Sequence, residues 1–218
     1  MSLKVSEGEF VSLIGPSGCG KTTLVNLIAG YLEIENGNII FENKKVSQPD
    51  KNRVVINQED DLFYWMTVYE NLTLVSKDKD KINNLLELTG LSDYKKHFPN
   101  QLSGGMKKRL ALARALAVES KFIIMDEPFA SQDYRIKKKL YQDLLDIASK
   151  KNVAILLITH DLDEALGLSD RIVVMGGTPA NIKGEFKIPF SEIKDLNIEE
   201  MDEYIKLKKQ LKELGYNV

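Results

Sequence analysis

Short apolar runs alternate with longer amphipathic stretches along most of this chain. Four runs rich in β-branched and other apolar residues predict strands, at Phe10 to Gly15, Phe122 to Asp126, Val153 to Thr159 and Arg171 to Met175. Because these runs carry few polar positions, each strand is expected to be covered on both faces, as in a parallel sheet. Two segments between them predict crossover helices, one spelled LDEALGL and one with an apolar face of Ile136, Leu140, Leu144, Ile147 and Ala148. The pattern predicts an α/β fold with a mostly parallel sheet flanked by helices.

The stretch from about Tyr69 to Val118 has a different character. Strand signals disappear and helix formers dominate, as in KINNLLELTGL and MKKRLALARALAV. We therefore predict an α/β core formed by residues 1–68 and 119–218, with a helical subdomain, residues 69–118, inserted into it. Beyond it, GGTPANIKG from Gly176 predicts a loop. A final amphipathic stretch predicts a terminal helix that packs back on the core, with apolar positions at Ile198, Met201, Ile205 and Leu211.

Composition and charge narrow the class of protein. Apolar residues make up 43% and charged residues 28% of the 218 residues, which is typical of a folded globular chain. Since the formal charge is −2, we expect no nucleic-acid partner, and we expect the lysine runs 107–108 and 137–139 to be solvated helix faces. The single cysteine, Cys19, cannot form an internal disulfide and fits a reducing compartment. The apolar runs are too short to cross a bilayer, so contact with a membrane is expected to be peripheral.

The first candidate site is a glycine-rich segment between a predicted strand and the helical run LVNLIAGY. It reads GPSGCGKT, from Gly15 to Thr22, and fits the pattern G-x-x-x-x-G-K-[ST]. Its glycines permit backbone conformations that turn successive N–H groups toward one concavity, and the following helix adds its positive N-terminal end. Such a concavity suits phosphate. Lys21 is placed to reach the β- and γ-phosphates of a nucleotide, and the Thr22 hydroxyl is placed to bind Mg²⁺.

A second group of polar residues follows the ends of strand-like runs. FIIMDE delivers Asp126 and Glu127 at the carboxyl end of its strand, the edge at which open α/β sheets bind ligands. We expect Asp126 to hold the Mg²⁺ shell and Glu127 to orient or deprotonate an attacking water. Gln58 closes RVVINQ and offers a neutral amide to metal, water and phosphate, while His160 closes VAILLITH and would contact the γ-phosphate or the water. Taken singly, a solvated strand end, a surface glutamine and a structural histidine explain these residues as well.

The turn LSGGM opens the helical run MKKRLALARALAV. The Ser103 hydroxyl, the flexible backbone at Gly104 and Gly105, and the helix N-terminus together form a second anion site. Taken alone, the turn is equally an ordinary helix cap. Because the chain already has one phosphate cradle, we expect the second to act on the nucleotide of another molecule in a symmetric pair.

In this order along the chain, GPSGCGKTT, Gln58, LSGGM, FIIMDEP and ITHD resemble the motifs of ABC transporter ATP-binding subunits. The resemblance extends from about Ser2 to about Ile188. It implies a P-loop ATPase fold in which two subunits sandwich two ATP molecules, with Mg²⁺ as the metal. It also implies that Ser103 to Met106, within the turn LSGGM, form the signature motif.

The resemblance assigns a role to each motif. The catalytic residues it implies are Lys21, Gln58, Glu127 and His160. The Mg²⁺ ligands it implies are Thr22, Gln58 and Asp126. The residues it implies for nucleotide binding, including Asp133 of the D-loop, are Gly15, Pro16, Ser17, Gly18, Cys19, Gly20, Lys21, Thr22, Thr23, Ser103, Gly104, Gly105 and Asp133.

Further segments narrow the resemblance to importer ATPases for nitrate, sulfonates, taurine and related small solutes. These segments are LSGGM in place of LSGGQ, LFYWMTVYENL, THDLDEALGLSDRIVVM and TPANI. Such a subunit would power uptake from the cytoplasmic face of the membrane, with permease subunits and, indirectly, a solute-binding protein as partners. Phe63, Tyr64 and Trp65 would be costly to expose without a partner, so we expect the permease to dock there; a small satellite core is the alternative.

Two features depart from the pattern of this family. The D-loop reads ASQD, where a small residue followed by Leu and Asp is usual, so the dimer contact is expected to differ in detail. The family also carries a strand and an adenine-stacking aromatic residue upstream of the P-loop, whereas here fourteen residues precede Gly15 and Phe10 lies in the predicted strand. We therefore expect a shortened N-terminal strand region and nucleotide binding weakened by about 1 kcal/mol or more.

Two other functions are compatible with the same motifs. One is a soluble ABC-type ATPase of DNA maintenance or translation, although such proteins generally carry long coiled-coil insertions or tandem cassettes, which are not found in this sequence. The other is a nucleotide-binding protein that does not hydrolyse ATP, suggested by the shortened N-terminal region. The leading hypothesis is an importer ATPase that hydrolyses ATP to ADP and phosphate.

Overall fold

The computed structural model describes residues 1–57, 61–129, 134–189 and 202–213. Its strands are β1 (Phe10–Ile14), β2 (Ile40–Phe41), β3 (Lys44–Lys45), β4 (Arg53–Ile56), β5 (Phe122–Asp126), β6 (Ala154–Ile158), β7 (Arg171–Gly176) and β8 (Asn181–Lys187). Its helices are α1 (Lys21–Ala29), α2 (Val68–Thr73), α3 (Lys79–Leu88), α4 (Gly104–Ala117), α5 (Tyr134–Lys151), α6 (Leu162–Leu168) and α7 (Asp202–Glu213). The four strands predicted from apolar runs are confirmed as β1, β5, β6 and β7, with bounds that differ by at most one residue at either end.

One sheet contains the strands in the order β4, β5, β6, β1, β7, β8, and β2 pairs separately with β3. Neighbours from β4 to β7 are parallel, and β8 runs antiparallel to β7. The predicted mostly parallel sheet is therefore confirmed. Because β1 lies between β6 and β7, the segment that follows β1 leaves the sheet near its middle, at the carboxyl edge.

Both faces of the parallel strands are buried, which explains why their sequences are apolar almost throughout. Along β5, Ile123 and Met125 belong to one apolar cluster, together with side chains of α4 and α5. Phe122 and Ile124 belong to another cluster on the opposite face, which includes Val25 of α1. The alternation follows from the two-residue period of a strand, since successive side chains point to opposite faces.

Between β4 and β5 the chain forms α2, α3 and α4. Residues 61–121, which the structure describes throughout, contain no strand, in agreement with the sequence pattern. The apolar faces of these helices share a cluster with the sheet, through Leu72, Ile82 and Leu110 packed with Ile123. The predicted division into a core and an inserted subdomain at residues 69–118 stays a prediction.

The C-terminal part differs from the sequence prediction in two respects. The predicted loop includes β8, because one face of this edge strand is exposed and its residues are correspondingly polar. The terminal helix is present as α7, and the predicted apolar position Leu211 is buried. Ile205, however, is 54% exposed, and Tyr204 joins Leu211 in the buried stripe against α6. Ile205 lies one position from Tyr204 and therefore about 100° around the helix from the stripe. The predicted apolar positions Ile198 and Met201 lie outside the described residues.

Among the helices of the described ranges, none has the length and apolarity needed to cross a membrane.

Candidate functional site

The glycine-rich segment connects the end of β1 to the start of α1. Gly20 precedes the helix in the left-handed region, with φ of 96°, a conformation that favours glycine. Gly15 is required for another reason, since a Cβ atom there would lie 2.5 Å from the backbone oxygen of Met175 in β7. Pro16, Ser17, Gly18, Thr22 and Thr23 are exposed, while Cys19 and Gly20 are partly buried. The loop is therefore accessible to a phosphate group along most of its length.

The Lys21 side chain folds back over this loop. Its Nζ donates hydrogen bonds to the backbone oxygens of Gly15 at 2.7 Å and Pro16 at 3.0 Å, and the residue is 9% exposed. An ammonium group has three N–H donors, so one can still reach a ligand when the other two hold the loop. Lys21 thus both fixes the loop and places a positive charge beside it.

Thr22 and Asp126 meet across the sheet edge, as the sequence predicts for a shared metal site. Thr22 Oγ1 donates to Asp126 Oδ2 at 3.2 Å. Burial, together with the charge of Glu127, raises the pKa of Asp126, and the hydrogen bond from Thr22 and the charge of Lys21 only partly oppose this. Nearby positive charge therefore does not fully compensate the negative charge of the Asp126 carboxylate. A hydroxyl and a carboxylate oxygen are donors that Mg²⁺ accepts alongside phosphate oxygens, so this pair fits that ion.

Glu127 and His160 leave neighbouring parallel strands and meet at the same edge. β5 and β6 are in register at Asp126 and Ile158, so the residues that follow lie side by side. His160 Nδ1 is 3.3 Å from Glu127 Oε1. Glu127 has φ of 48°, and its N–H donates to the Ile158 oxygen at 2.9 Å. The left-handed turn directs this carboxylate to the histidine, whereas the preceding Asp126 faces Thr22.

Among the described site residues, Ser103, Gly104 and Gly105 are not brought to this edge and lie instead at the start of α4. Gln58 and Asp133 lie outside the described residues, and their roles stay predictions. Ser103 is exposed at the start of α4, where its hydroxyl accepts a hydrogen bond from the Met106 N–H at 3.3 Å. The serine therefore caps its own helix, and the exposed Gly104 follows it, with Gly105 buried.

A buried polar network behind His160 was missed from the sequence. Glu164, which is 3% exposed, accepts hydrogen bonds from the Thr159 hydroxyl at 2.6 Å and from Lys137 Nζ at 2.8 Å. The prediction that Lys137 belongs to a solvated helix face is wrong, since 18% of its side chain is exposed and it pairs with a buried carboxylate. A threonine before the histidine and an acid in the next helix are too common to signal such a network from sequence.

The aromatic segment after β4 is a surface feature. Trp65 is 72% exposed and Tyr64 is 45% exposed, which argues against a satellite core. The Arg114 guanidinium lies 4.8 Å from the centre of the half-buried Phe63 ring, and Lys107 Nζ lies 5.3 Å from that of Tyr64. Both cations belong to α4, so the aromatic segment is fastened to the helix that Ser103 caps.

Phe10 cannot provide a stacking surface for a nucleotide base. It is 4% exposed within β1 and belongs to the main apolar cluster. The prediction that Phe10 lies in the first strand is therefore confirmed, while the predicted loss of nucleotide affinity stays a prediction.

Comparison with known proteins identifies relatives that match most of this chain. The sequence profile of the ABC transporter family matches residues 1–130. The chain is 39% identical over 201 residues to the taurine import ATP-binding protein TauB of Roseobacter denitrificans, covering 88% of this chain and 75% of that protein. It is 39% identical over 201 residues to the nitrate import ATP-binding protein NrtD of Synechococcus elongatus, with coverages of 87% and 73%. It is also 37% identical over 229 residues to the bicarbonate transport ATP-binding protein CmpD of the same species, with coverages of 100% and 82%.

Solved structures show the same fold. The dimeric bacterial ABC transporter cassette MJ0796 superposes with a TM-score of 0.74 at 28% identity, over 85% of this chain and 88% of that chain. A post-hydrolysis state of that cassette, bound to ADP and phosphate, superposes with a TM-score of 0.73 at the same identity and coverage. The family profile covers more than half of the chain, and the relatives match most of its length. This chain therefore belongs to the ABC transporter family of ATP-binding proteins.

Proposed function

We propose that this chain is the ATP-hydrolysing subunit of an importer for small solutes of the nitrate, sulfonate and taurine class. One observation carries the proposal: the Lys21 loop, the Thr22–Asp126 pair and the Glu127–His160 pair meet at the carboxyl edge of one sheet. The relatives reported above are named as import or transport ATP-binding proteins. These names favour an importer over a soluble ATPase of DNA maintenance or translation.

The chemistry assigned to the site is hydrolysis of the terminal phosphate of ATP. The loop and Lys21 bind the β- and γ-phosphates and offset their negative charge. Glu127 orients the attacking water and accepts its proton, while the water oxygen bonds to the γ-phosphorus and the bond to the β-phosphate oxygen breaks. His160, whose Nδ1 lies 3.3 Å from Glu127 Oε1, is on the same side of the site. Mg²⁺ held by Thr22 and Asp126, with Gln58 as a predicted third ligand, would neutralise phosphate charge.

Hydrolysis is assigned to a pair of chains, each of which completes the other's site. Ser103 caps α4 and is exposed, and this exposed helix N-terminus is suited to the γ-phosphate held by a second copy. Asp133 is predicted to contribute to the same contact. Two-fold symmetry would then form two equal sites, each with the Lys21 loop of one chain and the Ser103 turn of the other.

A mixing experiment tests this arrangement. Lys21→Ala impairs the loop, and Ser103→Glu places a negative charge where the γ-phosphate should bind, so each variant alone should lose turnover. A mixed pair contains one site with both defects and one site with neither. We expect ATPase activity to reappear on mixing, and a mixture of each variant with itself at equal total concentration is the control.

Two results would contradict the proposal in different ways. If Ser103→Glu alone keeps the parent's activity, the shared site is wrong while hydrolysis stands. If the parent chain, alone and with its permease, binds ATP without releasing phosphate, the non-hydrolysing alternative is favoured instead.

The membrane partner is proposed to dock on the aromatic segment Phe63 to Trp65. The exposure of Trp65 and the cation contacts to α4 would let docking influence the helix that carries Ser103. On this proposal the chain is a peripheral subunit on the cytoplasmic face of the membrane, and a solute-binding protein is an indirect partner. Trp65→Ala should reduce co-purification with the permease and solute uptake while leaving nucleotide binding intact. Tyr31→Ala, at another exposed aromatic residue, is the control variant.

A further inference from the structure

We propose that the buried carboxylate of Glu164 is a positioning residue that holds His160 in place for hydrolysis. It would do so by fixing the backbone on both sides of the histidine. The inference rests on the proposed function, because it assumes that His160 acts in the ATPase site.

Among the residues that the structure describes, the His160 side chain is held only weakly by its own contacts. It is 57% exposed, and its contact with Glu127 joins Nδ1 and Oε1 at 3.3 Å. An exposed pair of this kind stabilises a single geometry only weakly. Within the described part of the chain, the direction of the imidazole is therefore set mainly by the flanking residues, Thr159 and Asp161.

Thr159 connects the histidine to Glu164. Its side chain is almost fully buried, and its hydroxyl donates to Glu164 Oε2 at 2.6 Å. The same hydroxyl oxygen accepts a hydrogen bond from the Asp161 N–H at 3.0 Å. One hydroxyl thus bridges the residue before the histidine and the residue after it. Breaking such a bond in a buried position leaves polar groups without partners, which is costly.

The carboxylate itself is fixed by α5 and by the start of α6. Lys137 Nζ lies 2.8 Å from Glu164 Oε1 and 3.4 Å from Asp161 Oδ2. Burial opposes the charge of Lys137, but these two carboxylates outweigh it and raise the pKa of the lysine. Asp161 also caps α6 by accepting hydrogen bonds from the Asp163 and Glu164 N–H groups. A buried carboxylate paired in this way holds one position, because removing a partner would leave its charge uncompensated.

A second branch of the network extends toward Glu127. The pKa of the Tyr141 phenol is raised first by burial and then by the nearby Glu164 carboxylate, with which the phenol forms a hydrogen bond. The Tyr141 ring packs edge-on against Phe129, with centroids 4.9 Å apart, and Phe129 follows Glu127 by two residues. Glu164 therefore supports the segments that carry both members of the Glu127–His160 pair.

The test compares Thr159→Val and Glu164→Gln with a control variant that removes another buried hydroxyl, at Ser169 after the end of α6. Thr159→Val breaks the bond to Glu164 with little change in shape, and Glu164→Gln removes the charge. Ser169→Ala is the control, because its hydroxyl is also buried and bonds to Ser12 at 2.5 Å, away from His160. Each variant is measured for thermal stability, for kcat and KM of ATP hydrolysis, and for the NMR resonance of the His160 imidazole. The chain has two histidines, so His160→Ala assigns that resonance directly.

We expect Thr159→Val and Glu164→Gln to shift the His160 resonance and to lower kcat about tenfold or more, because small misplacements of catalytic groups are costly. KM should change less than about twofold, since the phosphate loop is untouched. Thr159→Ser, which keeps the hydroxyl, should restore kcat. Ser169→Ala should lose stability without either effect.

The inference is overturned if Thr159→Val lowers stability as Ser169→Ala does but leaves the His160 resonance and kcat at the parent values. The His160 resonance can be measured without ATP hydrolysis. This measurement therefore tests the inference even if the chain is inactive without its permease. Full ATPase turnover in His160→Ala would be a different result. It would contradict the role of His160 in the proposed function, but not the inference that Glu164 positions His160.

Discussion

Asp126 and Glu127 are adjacent in the sequence, yet their surroundings assign them different chemistry. Asp126 ends β5 half-buried beside the Thr22 hydroxyl, where burial raises its pKa. Glu127 turns into the left-handed region and reaches His160. A carboxylate whose charge is not compensated by a neighbouring cation is suited to bind a metal ion. An accessible carboxylate beside an imidazole is suited to bind a water molecule.

Glu127→Gln should reduce turnover by about a hundredfold or more, because an amide cannot accept the proton of the attacking water. ATP binding should be retained, since the amide has nearly the same size and the Lys21 loop is unchanged. Phosphate release and equilibrium nucleotide binding are the two measurements. Loss of binding together with turnover would show that Glu127 has been given the wrong role.

Asp126→Asn should make the ligand-free protein more stable at neutral pH. The pKa of Asp126 is raised above its unfolded value of 3.8, so the folded state binds the proton more tightly. Its contribution to the free energy of unfolding therefore falls as the pH rises from 3.8 through the folded pKa. The amide removes this cost at pH 7, and the difference from the parent should disappear at about pH 3. Urea unfolding at both pH values measures it.

Asp163→Asn is the matched control for the preceding prediction. Burial opposes the charge of Asp163, but hydrogen bonds from Lys208 and Tyr204 of α7 outweigh it and keep the pKa of this carboxyl below its usual value. Its stabilising contribution is present above 3.8 and is lost as the pH falls through the folded pKa. This variant should therefore be less stable than the parent at pH 7. Destabilisation of both variants would contradict the assignment for Asp126.

At the scale of elements, the site is built from strand ends and helix starts. β1, β5 and β6 are neighbours or near neighbours in the sheet, so the segments that follow them converge on one edge. α1 begins at Lys21, directly after the loop, and its N-terminal end adds a favourable field for phosphate. The start of α4 offers the same feature on a separate surface, which suits it to a phosphate bound elsewhere.

Two substitutions at Ser103 separate its capping role from its proposed contact with a nucleotide. Ser103→Ala removes the bond from the Met106 N–H and should destabilise the protein by about 1 kcal/mol. Ser103→Asp keeps a good capping group and should preserve stability, but its charge would repel the γ-phosphate of the second chain. We expect Ser103→Asp to be the more stable and the less active of the two. If Ser103→Asp matches the parent in both stability and ATPase activity, Ser103 is only a structural cap.

At the scale of the whole molecule, the two predicted anion-binding features lie on separate elements of the described chain. The Lys21 loop leads into α1 and the Ser103 turn leads into α4. These helices pack on opposite faces of the sheet, since α1 shares a cluster with Ile124 and α4 with Ile123. A solved relative in this family forms a dimer. Both points support a shared site between two copies, as proposed above.

Turnover per chain should therefore rise with protein concentration, because a second copy must complete each site. The measurement is the ATPase rate across a dilution series, with the fraction of dimer followed in the same samples by light scattering. Glu127→Gln serves as the background control. A rate per chain that stays constant in strictly monomeric samples would contradict the shared site.

Much of the fold and of the site was predictable because the signals are local. The strands β1, β5, β6 and β7 are apolar runs, and their two-sided burial is written into consecutive positions. The P-loop pattern and the acids after FIIM are likewise contiguous. Edge strand β8 was predicted as a loop, and Ile205 was assigned to the buried face of α7. A half-exposed element carries a weaker pattern, and a shift of one residue rotates a position away from the buried face of a helix.

The sequence by itself determined the α/β architecture, the phosphate loop and the identity of the residues that follow each strand, since these depend on neighbours along the chain. Only the tertiary structure decided which of those residues meet. Lys137 and Glu164 are 27 positions apart, and the buried pair they form depends on how α5 and α6 pack on the sheet. Whether a charged side chain is solvated or paired is set by such distant contacts, which no local pattern encodes.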